Sequence, residues 1–146
     1  METQTPTVTG SIVLLTRLAR VVYRRSTVDL VGMSLKDLAV LAYLRDSGVA
    51  GQQALAEALC IDANNCVLVL NELEESGFIE RRRDPADRRR HLVELTDRGR
   101  HALEGAEQAQ GSVEDDVLGA LSAKERDQLQ RLLCRALEGQ GPHPPD

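Results

Sequence analysis

The stretch that decides the fold runs over residues 62–99 and reads DANNCVLVLNELEESGFIERRRDPADRRRHLVELTDRG. Asp62 at its start is a residue type that caps the free N–H groups of a helix. Cys66, Val69, Leu70 and Leu73 then recur at helical spacing, and Gly77 supplies the left-handed residue that ends a helix. After Gly77 the apolar period changes from helical to strand-like. Residues 78–83 and 91–95 predict two short strands, joined by Asp84-Pro85-Ala86-Asp87, where proline fixes φ and aspartate favours turns. Thr96 then has the right chemistry to start another helix.

Upstream of this stretch, residues 52–60 predict a short helix with Leu55, Ala58 and Leu59 on one face. Only Ile61-Asp62 separates it from the helix over residues 63–76, the short connection that a helix-turn-helix requires. Residues 34–45 predict a further helix, with Ser34 and Asp37 in capping-box spacing and Asp46-Ser47-Gly48 as a turn. Ile12, Leu15, Leu18, Ala19 and Val22 mark one over residues 11–25. Ser122 and Glu125 make a full capping box for a last helix carrying Leu129, Leu132, Leu133, Ala136 and Leu137. The weakly apolar run 105–111 predicts a bend or a solvated stretch in the helix that begins at Thr96. The expected fold is mainly α with a small two-stranded β wing. Its organisation is a flexible start (1–10), an N-terminal dimerisation helix and linker (11–33), a winged-helix lobe (34–99), C-terminal dimerisation helices (100–138) and a flexible tail (139–146).

Formal net charge is −5 over 146 residues, so the whole molecule is no polycation. The charge is unevenly placed. Residues 81–91 carry six arginines against two aspartates, a net +4, which leaves −9 on the rest. Arginines clustered on a projecting hairpin suit a phosphate backbone or a narrow minor groove. Arg81, Arg83, Arg88, Arg89 and Arg90 are therefore candidate contacts to double-stranded DNA, read together with the outward face of the preceding helix. That face is Asn64, Asn65, Val67, Leu68 and Asn71. Asparagine pairs with adenine edges and apolar side chains meet thymine methyls, so it points to A·T-rich half-sites.

Several segments resemble the MarR family of transcriptional regulators. They are Leu55-Ala56-Glu57-Ala58-Leu59, the run Leu73-Glu74-Glu75-Ser76-Gly77-Phe78-Ile79-Glu80-Arg81, the wing Asp84-Pro85-Ala86-Asp87-Arg88-Arg89, and Val93-Glu94-Leu95-Thr96-Asp97-Arg98-Gly99. The resemblance implies a homodimer with interlocked first and last helices, a reading helix in the major groove and a wing arginine in the minor groove. Asp87 and Arg89 stand at the Asp-x-Arg positions of that wing. It also implies an effector, a small acidic or phenolic molecule bound between the dimer helices and the DNA-binding lobe, whose arrival releases DNA from a repressor. Val67 and Leu68 depart from the family, which usually carries Thr or Ser and then Arg there.

The three cysteines, Cys60, Cys66 and Cys134, form no CxxC pair and lie in apolar runs, which predicts buried, reduced thiols. His91, His101 and His143 lack compact metal-ligand spacing, and no nucleophile motif or phosphate-cradling glycine loop is present, so neither cofactor, metal nor enzymatic activity is expected. No stretch approaches the ~20 apolar residues of a membrane span, and the polar first ten residues lack a secretory pattern, so a cytoplasmic protein is expected. Two other readings stay open from sequence: a winged-helix module that docks a protein through Val67 and Leu68, and a thiol-based redox regulator.

Overall fold

The computed structural model describes residues 10–140; the flexible ends expected over 1–10 and 139–146 lie outside them, save Gly10, Gly139 and Gln140. The elements follow the order α1 (Ser11–Arg25), α2 (Val28–Val31), α3 (Leu35–Ser47), β1 (Ala50–Gly51), α4 (Gln52–Ala58), α5 (Ala63–Glu75), β2 (Ile79–Arg83), β3 (His91–Leu95), α6 (Asp97–Val117) and α7 (Ala123–Glu138). The cap residues expected from sequence start their helices. Ser34, Asp62, Thr96 and Ser122 each accept a hydrogen bond from the backbone N–H three residues on, and Glu125 completes the box at Ser122.

The wing is one strand larger than expected. β3 is the middle of an antiparallel sheet ordered β1-β3-β2, with Ala50 opposite Val93 and Ile79 opposite Leu95. β1 is two residues long and lies beside a turn, so it has no run of alternating residues that sequence could display. The linker after α1 likewise contains a helical turn, α2, behind which Val31 and Met33 are buried.

The core is aliphatic. Leu41 and Leu44 of α3, Leu55 of α4, Leu70 of α5, Ile79, Val93 and Leu103 of α6 are all essentially inaccessible. α6 runs unbroken through Gly105 and Gly111, because Ala106 and Val113 pack into the same core and hold the helix against the cost of its glycines. Arg45 of α3 pairs with Glu107 of α6, and Arg25 at the end of α1 pairs with Asp116. α7 is tied on through Arg126, which donates to the Leu118 carbonyl at 3.2 Å and to Asp115 at 2.7 Å. Neither α1 nor α7 contains a buried residue. No single helix among the described residues is long and apolar enough to cross a membrane.

Two of the three cysteines are not buried as expected. Cys66 is enclosed, but Cys60 and Cys134 are exposed. Cys60 caps α4 in the left-handed region (φ 56°), and a residue that turns the chain there points its side chain away from the helix it ends. The Cys60 N–H donates to Glu57 and the Ile61 N–H to Ala56, the same paired closure that Gly77 and Phe78 make at the end of α5. Cys134 lies on α7, which has no buried residue.

Gly99 in the first turn of α6 is a point of close approach. A Cβ there would sit 2.1 Å from the Phe78 carbonyl oxygen and 2.8 Å from Leu95 Cδ1. Gly99→Ala is expected to destabilise the chain by about 3 kcal/mol, the upper end for overpacking, read as a lower urea midpoint. An unchanged midpoint would show that α6 does not press on the Phe78 backbone.

Candidate nucleic-acid interface

α4 and α5 form the helix-turn-helix, and α5 presents two faces. Cys66, Val69, Leu70 and Leu73 are buried, while Asn64, Asn65, Val67, Leu68 and Asn71 are exposed. The apolar pair stands in water, with Val67 39% and Leu68 60% accessible, so neither is a core residue of this lobe.

The cap of α5 also arranges its first turn. One Asp62 carboxylate oxygen accepts the Asn65 backbone N–H at 2.8 Å, and the other accepts the Asn65 side-chain amide at 2.7 Å. The backbone bond is the main cause that holds the Asp62 carboxyl below its ordinary pKa. Asn65 keeps its carbonyl oxygen and one N–H, which is the pair an adenine edge takes. Asn71 is placed differently. Its Oδ1 accepts from Arg81 at 2.6 Å.

Arg81 stands at the base of the wing and not at its tip. Its guanidinium binds Glu74 (2.8 and 3.2 Å) as well as Asn71, and its side chain is only 19% exposed. The Arg81 hydrogen bonds hold Glu74 below the usual carboxylate range. A carboxylate so shifted contributes stability above that range and loses it as the pH falls into acid. Arg81 and Asn71 therefore join the reading helix to the wing. Sequence spacing did not show this, because the partners lie ten residues apart and meet only once β2 folds back on α5.

The wing loop is closed by its own backbone. The Asp84 N–H donates to Arg90 O at 2.9 Å, the Asp84 carboxylate accepts the Ala86 N–H at 2.8 Å, and the Arg90 N–H returns to Asp87 O at 2.9 Å. Asp87 also accepts from the backbone and Nε of Arg89, whose side-chain hydrogen bond is the main cause lowering the Asp87 pKa. That contact aims Arg89, which is 91% exposed. Arg83 reaches across the loop to the Arg88 carbonyl at 2.9 Å, and the Arg90 guanidinium lies over Gly51 of β1. Arg82, facing Glu94 at 2.8 Å, is spent within the sheet. Among the described residues, Arg83, Arg88 and Arg90 have no carboxylate partner, so the net positive charge sits toward the wing tip.

Burial raises the Cys66 thiol pKa, which favours the unreactive protonated form. Among the described residues no group of three or more His, Cys, Asp or Glu side chains could hold a metal.

A reading helix beside an arginine-tipped hairpin defines a winged helix-turn-helix. A model of the MarR family matches residues 33–91. The chain is 31% identical over 109 residues to the transcriptional regulator HosA of Escherichia coli O111:H-, covering 75% of this chain and 81% of that protein. It is 43% identical over 84 residues to a putative transcriptional regulatory protein for the hcr operon of Thauera aromatica, covering 58% of this chain and about half (51%) of that relative. In fold it matches a crystal structure of a probable transcriptional regulator from Pseudomonas aeruginosa, with TM-score 0.75 and 28% identity over 86% of this chain and 96% of that one. The chain belongs to the MarR family of winged helix-turn-helix regulators.

Arg89→Ala is expected to weaken binding to the chain's operator at least tenfold while leaving the fold intact, within the ~1–3 kcal/mol of a good groove contact. Fluorescence polarisation at moderate salt measures it, and an unchanged affinity would remove the wing tip from the interface.

Proposed function

We propose that the chain is a homodimeric transcriptional repressor, acting in the cytoplasm, that binds a pseudo-palindromic operator and leaves it when a small effector binds. The observation that carries this reading is the joint exposure of the α5 face and the unpaired wing arginines on one lobe of an otherwise acidic chain. Asn64, Asn65, Val67 and Leu68 would enter the major groove, with Arg89 in the minor groove and Arg83, Arg88 and Arg90 on phosphates. Asn71 and Arg81 hold the two parts in register.

Dimerisation is supported by α1 and α7. Ile12 (76%), Leu132 (57%) and Leu137 (60%) are among the most exposed apolar side chains, and a monomer rarely tolerates such a patch. Release is supported by a cavity of about 460 Å³ between α1, α3 and α5 that is lined by Tyr23, Lys36, Asn65 and Leu68. An occupant there touches the two reading residues directly.

Selection of bound genomic fragments with the purified protein tests the proposal. The expected consensus is a two-fold pseudo-palindrome of A·T-rich half-sites roughly 10 bp apart, centre to centre. Asn65→Ala is expected to lose ~1–3 kcal/mol on that site, relax preference at one or two positions and leave the salt dependence unchanged. An asymmetric or G·C-rich consensus, or a monomeric mass at micromolar concentration, would overturn it.

A further inference from the structure

Asp62 uses its two carboxylate oxygens for different ends. Oδ1 accepts the Asn65 backbone N–H at 2.8 Å and caps α5, whereas Oδ2 accepts the Asn65 side-chain Nδ2 at 2.7 Å. The first bond is what a capping residue supplies. The second satisfies no backbone group, so the helix does not need it.

What the second bond does is decide which end of the Asn65 amide faces outward. The two ends of an asparagine amide are alike in shape and opposite in hydrogen bonding. An ionised carboxylate only accepts, so the end that faces Asp62 is the NH2. The carboxyl is kept ionised by its bonds, the Asn65 backbone N–H first, which hold its pKa below the ordinary value. Turning the amide over would set its oxygen against that negative charge and lose a charge-assisted hydrogen bond. One N–H is thereby consumed, and Oδ1 with the other N–H is left for a groove. The neighbouring amides are placed differently. Asn64, also exposed, makes no side-chain hydrogen bond among the described residues, so its amide can present either end. Asn71 gives its Oδ1 to Arg81 at 2.6 Å and keeps only N–H groups.

The difference is felt at a purine. In the major groove adenine shows an acceptor, N7, beside a donor, the N6 amine, whereas guanine shows two acceptors, N7 and O6. A free amide can turn its NH2 toward guanine or its mixed edge toward adenine, and so takes either. A tethered one fits adenine and meets guanine O6 with its own oxygen, leaving two acceptors face to face without a proton between them.

We infer that Asp62 is a positioning residue that sets specificity: by holding Nδ2 it makes Asn65 a reader of adenine that rejects guanine. The inference rests on the reading above, in which α5 enters the major groove, and it names what fixes the preference there. Asp62 acts through Asn65 and gains its effect by penalising the wrong base.

The test compares wild type, Asp62→Ser, Asn65→Ala and the double variant by fluorescence polarisation. Two duplexes are used, the selected operator and the same operator with guanine in place of the adenine whose preference Asn65→Ala relaxes. Asp62→Ser keeps one oxygen for the cap, as Ser34 and Ser122 do for α3 and α7, and removes the tether. Wild type is expected to prefer the adenine duplex by about tenfold or more. Asp62→Ser is expected to cut that ratio by about threefold or more, chiefly by binding the guanine duplex better, and to leave it unchanged once Asn65 is alanine. A capping role alone would lower both affinities together and leave the ratio where it was, which would overturn the inference. Should Asp62→Ser fail to fold by circular dichroism, Asp62→Asn carries the comparison. Its oxygen still caps α5, and its NH2 then faces Asn65, which draws the Asn65 oxygen inward and is expected to move the preference toward guanine. A ratio indifferent to both Asp62 variants, the same fall in the Asn65→Ala background, or a base other than adenine under Asn65 in wild type would also overturn the inference. If wild type selects no operator at all, the proposed function falls and this inference with it. If it selects one and discriminates there independently of Asp62, only this inference falls.

Discussion

The placement of every functional part depends on the contact between Gly99 and the Phe78 backbone. α5 ends at Gly77, in the left-handed region (φ 80°), and the chain turns into the wing at Phe78. The wing returns to the same point. The Thr96 N–H donates to Phe78 O at 3.1 Å and the Thr96 hydroxyl to Gly77 O at 2.7 Å, while Arg98 lies over the Phe78 ring at 5.8 Å. α6 can start there only because residue 99 lacks a side chain. Reading helix, wing and the long helix toward the chain's end are thereby fixed to one another across a few ångströms. Arg81, bridging Asn71 and Glu74, adds a second tie between reading helix and wing.

Charge is distributed by the same economy. Arginines near the lobe are paired with carboxylates, Arg81 with Glu74 and Arg82 with Glu94; toward the wing tip Arg89 rests on Asp87, while Arg83, Arg88 and Arg90 are in no ion pair among the described residues. Exposed pairs of this kind contribute little stability, but they remove charge from where it has no ligand. The remainder of the chain is acidic in net charge, so in the proposed function the wing and the α5 face would be the surface on which a duplex settles.

Much of this was legible in sequence because the signals were local. Caps at Ser34, Asp62, Thr96 and Ser122 act over three residues, and the change of apolar period at Gly77 is visible within one turn. The outward face of α5 follows from helical spacing alone. What stayed hidden was non-local. β1 exists only because β3 offers a free edge at Leu92 and Val93. α2 covers the core with Val31 and leaves no periodic trace in four residues. Apolar neighbours in sequence suggested burial for Cys60 and Cys134, but one terminates a helix in a left-handed turn and the other lies on a helix that packs on little else. The engagement of Arg81 needed the sheet to form first.

The central claim is that binding is carried by the wing arginines left without carboxylate partners, in two copies. Its most direct test is the salt dependence of affinity for the selected operator. Arg83, Arg88 and Arg90 from each of two wings give six phosphate charges, at about 0.9 per charge on duplex DNA, so log K is expected to fall with log salt at a slope of about −5. A slope shallower than about −2 would contradict the account, because the operator would then be held without the charge that the wing presents.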